Sequence, residues 1–312
     1  MLKSKSFISN MLLVLAAAIW GINYAVVKSI ANSIGPFTYI SMRILLGAVT
    51  LLIIILFMES KEEKRRIIRD KAYLKKLLSL APWMGVINVS GTLLMQFGMI
   101  YTTASRAGFI GAIYIVLVPI VGWLFFKLKT NANTLIGIVL AVVGLYFLCM
   151  TECFTISKGD LIILTSNIFF ALHIQLISKY VHEVKGIHLV CLEFFCSGLL
   201  CTICALLFEE PTFAQIQACS INAFFSGALG IGVCYALQVV AQKHTNPTMA
   251  ALLMSLESVF AALSGIFFLH ESFTGREFFG ICFVVGAIII AQLPSREKTS
   301  KKFACRKISK NN

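Results

Sequence analysis

Ten apolar runs follow one another along this chain, joined by short charged connections, and that succession constrains the fold more than any other feature. They lie near 11–30, 36–58, 77–99, 105–126, 133–150, 160–178, 187–208, 221–242, 247–269 and 276–293. A helix needs about 20 apolar residues to cross a bilayer core. The expected fold class is therefore all-α, a polytopic membrane protein with ten transmembrane helices. Strands of a membrane barrel would alternate apolar and polar side chains, and the run Leu51–Phe57 does not alternate. Composition closes the other routes. Hydrophobic residues make up 58% of the chain and charged residues 13%, against about a quarter charged in soluble domains, so a globular surface could not be covered.

The net charge of +13 raises the question of nucleic acid, but the placement of the charges answers it. With the N-terminus inside, 22 of the 27 Lys and Arg fall in inward loops and tails and only Arg106, Lys158 and Arg276 fall outside; Lys28 and Arg43 lie within spans. Short loops rich in Lys and Arg stay cytoplasmic. The expectation is a plasma-membrane protein with both termini cytoplasmic, partnered by the lipid bilayer and not by nucleic acid. The basic positions 61–76 suit an interfacial segment near anionic lipid. The first apolar run ends in Trp20-Gly-Ile-Asn-Tyr24 rather than a small-residue cleavage site, so it reads as a retained helix. Of the ten cysteines, those within spans, among them Cys201 and Cys204, read as small hydrophobes. Cys149, Cys153 and Cys219 approach one membrane face, and pairing among them is left open.

The chain repeats itself. Sliding 101–140 onto 244–283, an offset of 143, superposes Thr102 on Thr245, Ala107 on Ala250, Gly122 on Gly265, Phe125 on Phe268 and Gly137 on Gly280 without a gap. Upstream, an offset of 150 places Trp20 on Phe170, Asn23 on His173 and Arg43 on Glu193. The halves span 8–150 and 158–293, with a basic tail over 294–312. Five spans in each half force the second to enter from the opposite side, so the repeats are inverted. That is the architecture of secondary transporters, with substrate held between repeats.

Several stretches also resemble a known family. Trp20-Gly-Ile-Asn-Tyr24, Tyr101-Thr-Thr-Ala-Ser-Arg-Ala107 followed by Pro119, His244-Thr-Asn-Pro-Thr248, Ser255-Leu-Glu257 and His270-Glu271 are similar, in order and spacing, to EamA-type members of the drug/metabolite transporter superfamily. The resemblance covers about 8–293. It implies ten helices around a central cavity and movement of small organic metabolites, often outward. Leu128 stands where the second half has Glu271, and Ser258 follows Glu257 where the family often has Pro.

Polar groups at membrane depth are expensive and functional by default, a central charge costing about 2.5–3.5 kcal/mol on insertion scales. Glu257 lies nearest a span centre and suits a proton or a cationic group; a structural hydrogen bond is the alternative. Arg43 suits a substrate carboxylate through its planar fork, or else snorkels or bonds to backbone carbonyls. Glu193 is its counterpart, and His173 is a second candidate for coupling. Trp20, Asn23 and Tyr24 on the first helix, mirrored by Phe170 and His173, suit a small amphipathic metabolite, as they also suit plain helix packing. Asn88, Gln96, Tyr114, Tyr235 and Gln238 complete the cavity candidates. Pro119 reads as a possible kink, and Gly108, Gly111, Gly137 and Gly144 as faces for helix contact. No cofactor or metal is called for, and no Gly-x4-Gly-Lys loop for ATP is present. The expected activity is secondary transport by alternating access, of amino-acid-like compounds first and outward, either facilitative or coupled to an ion, with the proton as the first candidate. The rival, a membrane-embedded enzyme on a lipid-like substrate, would need clustered acids or histidines, and His270-Glu271 lacks the second His of a zinc-protease helix.

Overall fold

The computed structural model describes residues 2–30, 33–102, 104–149, 157–269 and 274–293. Among them every regular element is helical. In chain order these are α1 (Leu2–Ser29), α2 (Pro36–Met58), α3 (Lys61–Arg69), α4 (Lys71–Ile100), α5 (Ala104–Ala112), α6 (Tyr114–Phe126), α7 (Ala132–Cys149), α8 (Lys158–Tyr180), α9 (Gly186–Phe208) and α10 (Phe213–Phe225). A π-helical segment, Ser226–Val233, then leads into α11 (Cys234–Gln242), α12 (Pro247–Met254), α13 (Glu257–Leu269) and α14 (Gly275–Gln292). Nine helices among the described residues are long and apolar enough to cross a membrane, and Pro247–Leu263 is a shorter apolar one. Large side chains such as Phe57, Trp123, Phe125 and Phe208 stay exposed, as expected of surfaces that face lipid.

The helices begin where local chemistry starts them. Pro36 opens α2 in the first turn, where its missing N–H costs nothing. Ser157, Thr212 and Thr274 cap α8, α10 and α14 with reciprocal capping boxes. Two spans start earlier than hydropathy suggests, at Lys71 and Phe213, because Asp70 and Thr212 nucleate helix in polar residues.

The contacts at each end fix the threading. At one end Lys185 bonds Glu59, Asn10 accepts from Thr245, and Asn133 donates to the Leu293 carbonyl. At the other, Thr102 bonds Asp160, and Glu209 receives Phe37 N, Thr38 N and Thr38 Oγ1. Thr102 and Thr245, matched by the repeat, thus lie at opposite ends, as inversion requires.

Glycine sets the closest crossings. Helices α7 and α14 touch at Gly144 and Gly280, where a Cβ on either would fall 2.7 or 2.8 Å from the other's carbonyl oxygen. Gly137 is similarly crowded by the Ala287 carbonyl oxygen at 2.7 Å, whereas Gly111 meets only the flexible tip of Met95. Gly108 is not a packing position: a Cβ there would meet nothing within 4 Å. Cys149 and Cys219 are free thiols, and Cys153 lies outside the described residues.

Both repeats break their fourth helix at the same place. The first breaks at Ile113, between α5 and α6; the second at Ser255–Leu256, between α12 and α13. An offset of 143 carries 113 onto 256, and it carries Tyr114 onto Glu257. Pro119 is not the site of the break, since α6 runs through it. Side-chain amides of α8 reach the broken helix instead: Asn167 donates to the Ile110 carbonyl at 2.5 Å and Gln175 to the Val118 carbonyl at 2.7 Å.

Candidate functional site

The first-helix motif meets the second repeat side chain by side chain. Trp20 Nε1 donates to the Gly230 carbonyl at 2.6 Å. That carbonyl belongs to the π segment, a form that often marks functional sites in helices. Gly21 lets α1 approach α13 so closely that a Cβ would lie 2.5 Å from the Glu257 carbonyl oxygen. Asn23 Nδ2 donates to Ser226 Oγ at 3.3 Å. The side chain of Tyr24 is outside the described residues.

Next to Trp20 sits Tyr235, the hub of an aromatic cluster. Its ring meets Phe194 edge-on at 4.7 Å between centroids, Trp20 at 5.5 Å and His173 at 6.1 Å. Asn88 Nδ2 donates to the Tyr235 hydroxyl at 3.1 Å and lies 3.2 Å from His173 Nδ1. His173 Nε2 stands 2.7 Å from Glu193 Oε1. His173 is 2% exposed and Glu193 is fully buried, so the pair is sealed from bulk solvent.

Arg43 flanks this cluster from α2. Its guanidinium carbon lies 5.7 Å from the Tyr39 ring centre, and its charge also acts on the Tyr235 hydroxyl. Glu193 pairs with His173 and not with Arg43. The backbones of these two repeat-related residues nevertheless match. A Cβ on Gly227 would meet the Arg43 carbonyl oxygen at 2.5 Å, and a Cβ on Gly85 the Glu193 carbonyl oxygen at 2.9 Å. Several buried polar atoms find no partner among the described residues: Arg43 Nε, Glu193 Oε2 and Gln238 Oε1.

Thus Trp20, Asn23, Asn88, His173, Tyr235, Arg43 and Glu193 come together between the repeats. Glu257 opens α13 at the second break, with Tyr114 and Cys234 within reach of its charge. Phe170 packs against Gly91, one turn along α8 and α4 from the His173–Asn88 contact. Gln96 and Gln238 are buried but join none of these bonds. Phe194, Ser226 and Gly230 were not picked out by sequence reasoning. The small-residue run Ser226-Gly-Ala-Leu-Gly-Ile-Gly232 is the signal that marks the last two.

At the basic end, a second polar group ties the repeats. Lys185 bonds both Glu59 (2.7 Å) and Glu63, while His188 faces Glu59 at 2.9 Å and Tyr73 at 3.0 Å. The hydrogen bond from Lys185 holds the Glu63 carboxyl below its ordinary range. Partial burial works against the Lys185 charge, but Glu59 and Glu63 outweigh it and raise the lysine above its ordinary range. Among the described residues no cluster of His, Cys, Asp or Glu has a metal-binding arrangement.

A family model described as "EamA-like transporter family" matches residues 7–150 and 157–292. An uncharacterized transporter of Archaeoglobus fulgidus is 30% identical over 93% of this chain and 87% of its own length. The uncharacterized transporter YoaV of Bacillus subtilis is 19% identical over 87% of this chain and 90% of its own. One solved crystal structure, 13% identical, has a TM-score of 0.74 over 93% of this chain and 98% of that one, which is a likeness of fold.

Proposed function

The chain belongs to the EamA-like transporter family, and from that premise we propose that it exports amino-acid-like metabolites across the plasma membrane by alternating access, coupled to protons. The observation that carries this reading is the meeting of both repeats at a buried polar cluster with atoms unpartnered among the described residues, Arg43 Nε and Glu193 Oε2. Buried polar groups are normally satisfied, and a polar solute held between the repeats would satisfy these. Arg43 is the group for a substrate carboxylate, since its fork matches that geometry. Glu257, at a helix break beside Tyr114, is the group for an ammonium. Trp20 and Tyr235 supply ring faces that suit the cation and the apolar stem. The halves 8–150 and 158–293 are the bodies that rock, and the basic end is the cytoplasmic one.

Proteoliposomes preloaded with an unlabelled mixture of the twenty amino acids, then given the labelled mixture, test this. Saturable counterflow that falls at least tenfold in Arg43→Gln and in Glu257→Gln is expected. Absence of saturable counterflow for every amino acid overturns the substrate class, and chemical turnover without translocation overturns transport itself.

A further inference from the structure

The buried His173–Glu193 pair adjoins the ring of Tyr235, and the carrier reading above uses only its Glu193 Oε2. Its geometry fixes how many protons it carries. His173 Nε2 stands 2.7 Å from Glu193 Oε1, so beside an ionised carboxylate the ring proton sits on Nε2; Asn88 Nδ2 lies 3.2 Å from Nδ1 and 3.4 Å from Nε2, and Nδ1 is then the nitrogen left to accept from it. In this form the histidine is neutral and the carboxylate is ionised, a net charge of −1 in a sealed site. Glu193 Oε2 has no donor among the described residues, so the anion is under-stabilised and the pair has capacity for one more proton. Glu193 acts on the Tyr235 hydroxyl of α11 and on Cys196 of α9 itself, and Arg43 of α2 and Cys234 of α11 act on Tyr235 in turn; α4 offers the neutral Asn88 and α1 the neutral Trp20.

We propose that the His173–Glu193 pair is a proton-binding site that is loaded and unloaded during transport, read out through the amide of Asn88. The proton adds to His173 Nδ1 from water and leaves a net-neutral imidazolium–carboxylate pair. Nδ1–H is then a donor, so Asn88 turns its carbonyl oxygen toward it. The same turn removes Nδ2 from the Tyr235 hydroxyl, which must now donate to Asn88 Oδ1 in place of accepting. One proton thus withdraws a hydroxyl donor beside Arg43 and Trp20, the groups assigned to substrate. Asn88 belongs to the first repeat and His173, Glu193 and Tyr235 to the second, so the signal crosses the interface that alternating access rearranges. This deepens the carrier reading and rests on it for the link to transport, although proton binding itself can be measured without any substrate.

Trp20 is the reporter, its ring 5.5 Å from that of Tyr235. In a Trp83→Phe/Trp123→Phe background, purified protein in lipid nanodiscs is titrated with acid and base while Trp20 fluorescence is recorded. A one-proton transition is expected in this protein and in Glu257→Gln, and its loss in Glu193→Gln and His173→Gln. A transition that survives Glu193→Gln, or that vanishes in Glu257→Gln alone, overturns the assignment. Should the dyad variants fail to fold, nitrogen NMR of the unaltered protein with labelled histidine decides. One of its five histidines must pass from an Nε2–H tautomer to a doubly protonated ring over the same interval, and if none does, the assignment is overturned. A transition at the dyad with no amino-acid counterflow would leave the proton site standing and remove only the substrate reading.

Discussion

The sharpest structural test is the smallest change, Gly21→Ala. The added methyl would sit 2.5 Å from the Glu257 carbonyl oxygen, 2.7 Å from Phe260 Cβ and 2.8 Å from Ala261 N. Ordinary contacts are near 3.5–4 Å, so about 1 Å of separation is needed. None of the three atoms is the tip of a flexible side chain, so α13 must move as a body. Overpacking of this kind costs about 1–3 kcal/mol, set against a helix-propensity gain of up to about 1 kcal/mol for Ala over Gly. The net loss, about 0–3 kcal/mol, should lower the melting temperature by a few degrees, at about 2–4 °C per kcal/mol for chains of 150–250 residues. Transport should fall further than stability, because the displaced residue is Glu257 itself. Gly286→Ala on α14 is the control, since nothing lies within 4 Å of its Cβ position, and it should be neutral or slightly stabilising. The assay is thermal unfolding in nanodiscs beside counterflow in proteoliposomes. A Gly21→Ala protein that matches the parent in both, or a Gly286→Ala protein that loses as much, refutes the reasoning.

Trp20→Phe keeps a ring against Tyr235 but drops the bond to the Gly230 carbonyl; at about 0.6–1.7 kcal/mol for such a bond, counterflow should drop roughly 3- to 20-fold with little change in expression. Glu209→Gln removes a carboxylate that accepts three hydrogen bonds at the start of α2, and thermal unfolding should report a loss of about 1–2 kcal/mol. The Lys185–Glu63 contact should depend on pH with a definite sign. Glu63 is depressed, so its contribution is present above its unfolded value and is lost as pH falls through the folded one; Lys185 is raised, so its share is lost only as pH climbs through the lysine range. Melting at low salt should therefore show a Lys185→Ala effect that is largest near neutrality, shrinks in high salt and vanishes in acid. Asn167→Ala, which strands the Ile110 carbonyl at the first break, should cost about 1–3 kcal/mol in the same measurement.

The spans were legible because a bilayer imposes their length, and the inversion because five crossings per repeat leave no alternative. Helix starts at Lys71 and Phe213 were not, since hydropathy is blind to capped polar turns. The break at Ile113 was also invisible: Ile-Gly-Ala-Ile-Tyr carries no proline, and what reaches it, the Asn167 amide, comes from 57 residues away. Proline at 119 drew attention to the right helix and the wrong turn. Repeat matching paired Asn23 with His173 and Arg43 with Glu193, but the His173–Glu193 contact joins two helices within one repeat. That contact depends on how α8 and α9 are rotated against each other, which no offset encodes. Trp20, Gly21 and Asn23 were legible as a motif; their partners in the π segment were not, because small residues give no chemical signal of what they expose.

The repeats agree in backbone and disagree in chemistry, and that disagreement has a consequence for coupling. Gly227 against the Arg43 carbonyl and Gly85 against the Glu193 carbonyl are the same crossing made twice, and the breaks at 113 and 256 are the same break. Yet the side chains there are Arg and Glu, Tyr and Glu, Asn and His. Were the two halves chemically alike, exchanging their conformations would return an equivalent molecule, and no ligand could favour one access state by its position alone. A ligand shifts a conformational equilibrium only by its difference in affinity between states. Protonation of His173 has no counterpart at Asn23, which bonds Ser226 and cannot titrate. On the proposed mechanism the proton therefore acts on one repeat and not the other, and a difference of 1.4 kcal/mol between the two access states is enough to shift their ratio about tenfold. On that mechanism, asymmetry of side chains on a symmetric scaffold is what lets one bound proton favour one access state over the other.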